Sequence, residues 1–157
     1  MKNRVAKFAF KLISVSMFVV VFASPATAQL QPWVDYEASD SVLDVTYVDL
    51  DPGTMGIYLE GLKATWLAAN KVAKDLGHIE DYAIYANQYG SGDAPDLVLV
   101  IKMASTADIA PNRERYNEFM KAWGEENMEM SNEKVLELYN KIRRIQGNYL
   151  LREITVK

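Results

Sequence analysis

Five consecutive apolar residues, Leu97-Val98-Leu99-Val100-Ile101, restrict what this chain can fold into more than any other feature. The run is too short for a buried helix and follows a string of turn formers, Gly90-Ser91-Gly92-Asp93-Ala94-Pro95, so it reads as a central strand. Successive side chains of a strand point to opposite faces. Leu97, Leu99, Ile101 and Met103 therefore take one face, while Val98 and Val100 take the other. A strand with one wet face alternates between apolar and polar residues, and this one does not. Each face needs a cover.

The rest of the chain supplies a cover for one face. Val42 to Leu50 has the period of two of a strand, with Leu43, Val45 and Tyr47 alternating with Asp44, Thr46 and Val48, and Asp51-Pro52-Gly53 stops it. Thr54 to Leu76 is predicted as a long helix, because Tyr58, Leu62, Trp66, Ala69, Val72, Ala73 and Leu76 recur at three- and four-residue steps and Gly77 follows. Ile79 to Tyr89 reads as a second strand, joined to the central one by a short loop and hence antiparallel to it. A helical region spans Asn112 to Ile145, with one stripe of Tyr116, Phe119, Met120 and Trp123 and another of Val135, Leu138, Tyr139, Ile142 and Ile145. A break is expected between Gly124 and Ser131, with Ser131 as a fresh N-cap. Gly147 should end the helix, and Tyr149 to Val156 should form the last strand. The order is βαββαβ over residues 42–157, an α+β, ferredoxin-like arrangement of a four-stranded antiparallel sheet with both helices on one face.

Two helices leave the second sheet face bare. Val98 and Val100 would share it with Tyr85, Tyr89, Tyr149 and Leu151, mixed with Asp44, Thr46, Lys102 and Glu153. Apolar patches of that size rarely stay exposed on a monomer. The expected cover is a second copy of the chain, sheet on sheet, in a two-fold homodimer. The competing covers are the segment before the first strand or a bend in the second helix.

This pattern resembles the dimeric α+β-barrel superfamily, whose ferredoxin-like domains face one another through their sheets. The resemblance is architectural and covers residues 42–157: the element order, the long first helix and the apolar sheet face. It implies a ligand cavity between helices and sheet. The superfamily includes cofactor-independent monooxygenases of the antibiotic-biosynthesis type and haem-degrading enzymes, as well as stress-responsive members, but no catalytic set of theirs maps onto this chain residue by residue.

The N-terminal segment has its own chemistry. Lys2, Arg4, Lys7 and Lys11 precede an apolar run from Leu12 to Ala23, and Ala26-Thr27-Ala28 closes the segment with small residues. This is the layout of a bacterial signal peptide cleaved after Ala28, and the apolar run is shorter than the roughly 20 residues a membrane span needs. The mature protein is thus expected to be periplasmic or secreted, with no membrane anchor, and residues 29–41 form a leader arm pinned by Trp33 and Tyr36. Cleavage removes four of the 17 basic residues and none of the 21 acidic ones, leaving a net charge of −8. That charge disfavours nucleic acid. The chain has no cysteine, which excludes thiolate catalysis, Cys-ligated zinc and iron–sulfur clusters.

Candidate site residues are few. Tyr58, Trp66 and Asn70 of the first helix, with Tyr116 and Trp123 of the second, could line an aromatic pocket with one polar handle, suited to a flat apolar or aromatic ligand. The competing reading is ordinary core packing, in which case Asn70 needs a hydrogen-bond partner. His78, the single histidine, suits a proton shuttle or an axial haem ligand, but a residue favoured by the helix C-terminal dipole is the plainer account. Asn112-Arg113-Glu114-Arg115 reads as a solvated first turn, and Glu125, Glu126, Glu129 and Glu133 as a solvated face without a calcium-loop pattern. No metal or cofactor is expected. These residues point to an exported homodimeric small-ligand-binding or accessory domain without catalytic residues of its own. The alternatives are a cofactor-independent monooxygenase or haem-handling enzyme, and a structural or interaction protein.

Overall fold

The computed structural model describes residues 29–89 and 92–157, and the expected signal peptide, residues 1–28, lies outside them. The elements are β1 (Tyr36–Leu50), α1 (Met55–Leu62), a π-helical turn (Lys63–Leu67), α2 (Ala68–Asp75), β2 (Asp81–Ala86) and β3 (Leu97–Met103). After a 3₁₀ turn (Thr106–Ile109) come α3 (Arg113–Trp123), α4 (Glu125–Lys134), a second π-helical turn (Val135–Tyr139), α5 (Asn140–Ile142) and β4 (Arg143–Val156). The sheet order is β2-β3-β1-β4, and every neighbouring pair is antiparallel. This is the ferredoxin-like topology that the hydrophobic periods predict. Among the described residues no helix is long and apolar enough to cross a membrane.

The helices cover the face on which Leu97 and Leu99 lie. Both pack with Val48, Tyr58, Leu62 and Tyr139 in one buried cluster, and Trp66, Ile84, Val135, Leu138 and Ile142 surround it. The other face is set by register. Val98 pairs with Tyr47 and Tyr85, Val100 with Val45 and Ala83, and Lys102 with Leu43 and Asp81. Val45 and Leu43 pair in turn with Tyr149 and Leu151. Asp44 and Thr46 do not share this face as expected. They pair with Ile101 and Leu99 and so lie on the helix side, where Thr46 Oγ1 donates to Asn148 Oδ1 at 2.8 Å. The open face is therefore more apolar than the sequence implied.

The break at Gly124 lies where it was expected, whereas other boundaries and one cap differ, and β2 spans Asp81–Ala86 rather than Ile79 to Tyr89. β1 begins at Tyr36, so part of the expected arm is strand; Tyr36 pairs with Val156 and Ala38 with Ile154 before the register slips ahead of Val42. Alternation is lost across that bulge, which hides the strand from a period-two reading. Trp33 does not pin the arm, being 69 % exposed; the Lys157 amide holds it instead, donating to the Asp35 carbonyl at 2.9 Å. The second helical region breaks at Gly124 (φ 87°), a left-handed conformation that suits glycine. Ser131 is no N-cap: it lies inside α4. Finally, the helix ends at Ile142 rather than Gly147, because Val48, Asp49 and Leu50 take Ile145, Arg144 and Arg143 as strand partners. Gly147 is a strand residue roofed by the Tyr149 ring, from which a Cβ there would stand only 2.7 Å away.

Candidate functional site

A partly open cavity of about 260 Å³ lies between the two helical segments. Leu62, Thr65, Trp66 and Ala69 form one wall, while Phe119, Trp123, Met128, Ser131, Val135 and Tyr139 form the other, and Arg143 closes one end. No sheet residue other than Arg143 contributes. The cavity thus lies between helices, not between helices and sheet as the family resemblance implied.

Both helices pass the cavity in π-helical form. A π turn carries an extra residue and leaves carbonyl groups to be bonded by side chains. Thr65 Oγ1 donates to the Gly61 carbonyl at 3.0 Å, and Asn70 Nδ2 to the Trp66 carbonyl at 2.8 Å. From the second π turn, the Tyr139 hydroxyl meets Thr65 Oγ1 at 2.7 Å. Thr65 has one proton and spends it on Gly61, so Tyr139 is the donor. Gly61 is what admits the Tyr139 ring, since a Cβ at Gly61 would stand 2.7 Å from it.

Arg143 is the first residue of β4, and the helix-to-strand junction turns its side chain back over two phenol rings. Its Cζ lies 4.9 Å from the Tyr139 ring centroid and 5.6 Å from that of Tyr58. Nη1 donates to the Tyr58 hydroxyl at 2.7 Å, and the two tyrosine rings meet edge to face at 5.0 Å. Among the described residues no carboxylate forms an ion pair with Arg143. Burial pushes the Tyr139 phenol above its ordinary pKa, opposed by the Thr65 hydrogen bond and the Arg143 charge. The phenol stays neutral at physiological pH. On the same wall Ser131 Oγ is buried without a hydrogen-bond partner.

The expected site residues divide. Trp66 and Trp123 line the cavity, and Trp123, at 6 % exposure, stacks on Phe119 with centroids 6.2 Å apart. Tyr58 is wholly buried beneath Arg143 and reaches the cavity only through it. Asn70 is not on the wall; its amide is spent on its own helix. Tyr116 and His78 lie on a separate shallow groove with Asp108 and Arg115. There Arg115 bonds both Asp108 Oδ1 (2.9 Å) and the His78 carbonyl, while His78 Nε2 meets Glu118 Oε2 at 3.1 Å. Arg115 is thereby a structural tie, and Asn112 caps α3 by accepting from the Arg115 amide at 3.0 Å. Glu125, Glu126, Glu129 and Glu133 are exposed, and among the described residues no group of three or more His, Cys, Asp or Glu is placed to hold a metal. Sequence reasoning missed Arg143, Tyr139, Thr65 and Ser131. Tyr139 was visible only as one apolar residue in a stripe, and Ser131 only as a cap.

No protein-family model matches the chain, and no curated protein matches it. Solved structures similar to it include an uncharacterized NIPSNAP-like domain protein from Burkholderia xenovorans, with 14 % identity and a TM-score of 0.43 over 75 % of this chain and 85 % of that one. A nipsnap family protein with unknown function from Agrobacterium tumefaciens gives 16 % and 0.44 over 76 % and 90 %. A dimeric protein of unknown function and ferredoxin-like fold from Bacteroides fragilis gives 10 % and 0.39 over 76 % and 99 %. On its own strand order the chain is a ferredoxin-like α+β domain.

Proposed function

We propose that this chain is an exported small-ligand-binding domain that works as a homodimer and has no catalytic residues of its own. The observation that carries the binding reading is the inter-helical cavity itself. Aromatic and aliphatic side chains make most of its wall, and the polar groups are few and fixed, which is the make-up of a small-molecule site. Its volume of about 260 Å³ exceeds the roughly 150 Å³ that accommodates one benzene, so a molecule of one or two rings fits.

Homodimer formation rests on the open sheet face. Tyr85 and Tyr149 are 59 % and 51 % exposed there, beside half-buried Val98 and Val100. A two-fold axis through this face would sheath Val98 and Val100 and leave the inter-helical cavity accessible on the opposite side of the sheet. Export rests on the order of basic, apolar and small residues in segment 1–28.

The oxygenase alternative finds less support. A cofactor-independent oxygenase needs a base for its substrate, and the phenol nearest the cavity is held neutral and already donates to Thr65.

Extraction of the full chain purified under native conditions tests the reading. Mass spectrometry of the extract should find a small molecule released from wild type and absent from Ala69→Phe, which fills the cavity. An identical extract from both proteins would overturn it. A visible absorbance band on the purified protein would move the assignment to a haem-handling role.

A further inference from the structure

Resting on the ligand-binding reading above, we infer that the cavity selects an aromatic carboxylate, its ring between Trp66 and Trp123 and its anionic head on Arg143. Besides the Trp66 and Trp123 indoles, four polar side chains border the cavity: Thr65, Ser131, Tyr139 and Arg143. The Thr65 proton goes to the Gly61 carbonyl and the Tyr139 proton to Thr65. Arg143 has five N–H donors and no acceptor, and one of the five serves the Tyr58 hydroxyl. Ser131 Oγ is buried without a partner and has almost no surface open to the cavity, so it is out of a ligand's reach. The N–H groups of Arg143 not given to Tyr58 can only donate, and the one charge on the wall is theirs and positive. A ligand that satisfies them brings acceptors, and a negative charge is favoured over a neutral carbonyl.

Geometry narrows the class further. The guanidinium is held in place by the Tyr139 and Tyr58 rings and by its bond to Tyr58, so its fork is pre-organised. A fixed planar fork fits a carboxylate through two parallel hydrogen bonds. The competing partners lie on its outer side, where Asp49, Asp51, Asp93 and Asp96 border a polar groove. Asp49 is taken by Arg144 and Gln146, and Asp96 accepts the Leu50 amide at 2.7 Å. Asp51 and Asp93 border the same groove, but among the described residues no carboxylate forms an ion pair with Arg143, and its charge reaches the cavity unpaired.

The test compares 2-naphthoate with its neutral isostere 2-naphthamide by titration calorimetry on the full chain. Wild type should bind the naphthoate about tenfold or more tighter than the amide, a difference of about 1.4 kcal/mol. Arg143→Met should erase that preference by weakening the naphthoate about tenfold more than the amide, and Arg143→Lys should restore part of it. Because Arg143 touches the core, Arg143→Gln serves as a second variant: it keeps a hydrogen-bond donor and removes the charge, and should bind the two compounds within about twofold of each other. Equal affinities for the two compounds in wild type, or a preference that survives Arg143→Met, would overturn the carboxylate inference and leave ligand binding standing. Binding of neither compound, with Ala69→Phe indistinguishable from wild type, would sink the cavity reading together with the inference.

Discussion

The Thr65 hydroxyl and the Tyr139 hydroxyl meet at 2.7 Å where two π-helical turns cross, and this bond joins the two long helical segments beside the cavity. Both partners are buried, at 5 % and 2 % exposure, so neither can exchange the other for water. The bond has a direction, because Thr65 also donates to the Gly61 carbonyl. Thr65→Val therefore strands the Tyr139 proton in the core and should cost about 1–3 kcal/mol. Tyr139→Phe leaves Thr65 bonded to Gly61 and should cost only about 0.5–1.5 kcal/mol. Urea denaturation of the two variants checks the order. A larger loss for Tyr139→Phe would mean that the proton assignment is reversed.

Gly61 and Gly56 stand on the same helix and should respond oppositely to alanine. At Gly61 a Cβ would lie 2.7 Å from the Tyr139 ring, which Thr65, Tyr58 and Arg143 hold in place. Overpacking of about 1–3 kcal/mol outweighs the gain of about 1 kcal/mol in helix propensity. Gly61→Ala should destabilise by about 1 kcal/mol and disturb the cavity wall. At Gly56 nothing lies within 4 Å, so the same substitution should stabilise by a few tenths of a kcal/mol up to about 1. Thermal melts of both variants decide the matter.

The element order could be read from the sequence because the elements carry distinct local signals: an uninterrupted apolar run between turn formers in β3, a period of two over residues 42–50 of β1, and a period of about 3.6 in the helices. What could not be read follows from long-range contact. Nothing in Lys63–Leu67 or Val135–Tyr139 marks a π turn; their form is tied to the Thr65–Tyr139 bond, formed between residues far apart in sequence. Arg143 was hidden for a related reason. Ile142 and Ile145 sit three apart, so the helical stripe runs through it on paper. In the fold Ile145 is instead a strand partner of Val48, and the helix stops one residue before Arg143. Asn70 was legible as a buried amide in need of a partner, but its partner is its own helix and not a ligand. Tyr116 shares the apolar period of Phe119 and Trp123 yet is 60 % exposed, because α3 presents that residue to the groove at His78.

Acid should loosen two ties between elements. Hydrogen bonds from Arg144 and then Gln146 hold the Asp49 carboxyl below the ordinary value of 3.8, and Lys74 with the Tyr82 amide does the same for Asp81. A carboxyl whose folded pKa is depressed contributes stability above its unfolded pKa and loses it as pH falls through the folded value. The melting temperature should therefore be insensitive to these groups above about pH 5 and fall below about pH 4. Asp49, with 19 % of its side chain exposed, is screened less than Asp81 at 64 %. Asp49→Asn should accordingly flatten the acid limb more than Asp81→Asn, and about 1 M salt should narrow the gap. Melting curves between pH 2.5 and pH 6, on the order of the range these carboxyls titrate over, read this directly.

The open sheet face makes the sharpest demand on the molecule in solution. Val100 is flanked across the sheet by Val45 and Ala83, and its neighbours Val98, Tyr47 and Tyr85 extend the apolar surface in one direction. A charge at Val100 would be desolvated inside a sheet-on-sheet contact, where Lys102 on the same face is already paired with Glu80, whereas on a wetted face it would be solvated at little cost. Sedimentation equilibrium should give wild type the mass of two chains at micromolar concentration and Val100→Asp the mass of one. The variant should keep its far-ultraviolet spectrum, because the side chain points away from the helices and the core cluster of Val48, Tyr58, Leu62, Leu97, Leu99 and Tyr139 is untouched. It should also keep its affinity for a cavity ligand, since the cavity opens between the helices on the other side of the sheet. A wild-type mass of one chain would remove the dimer and leave these valines wetted. A dimer that survives Val100→Asp would place the interface elsewhere, with the exposed edge of β4 as the next surface to probe.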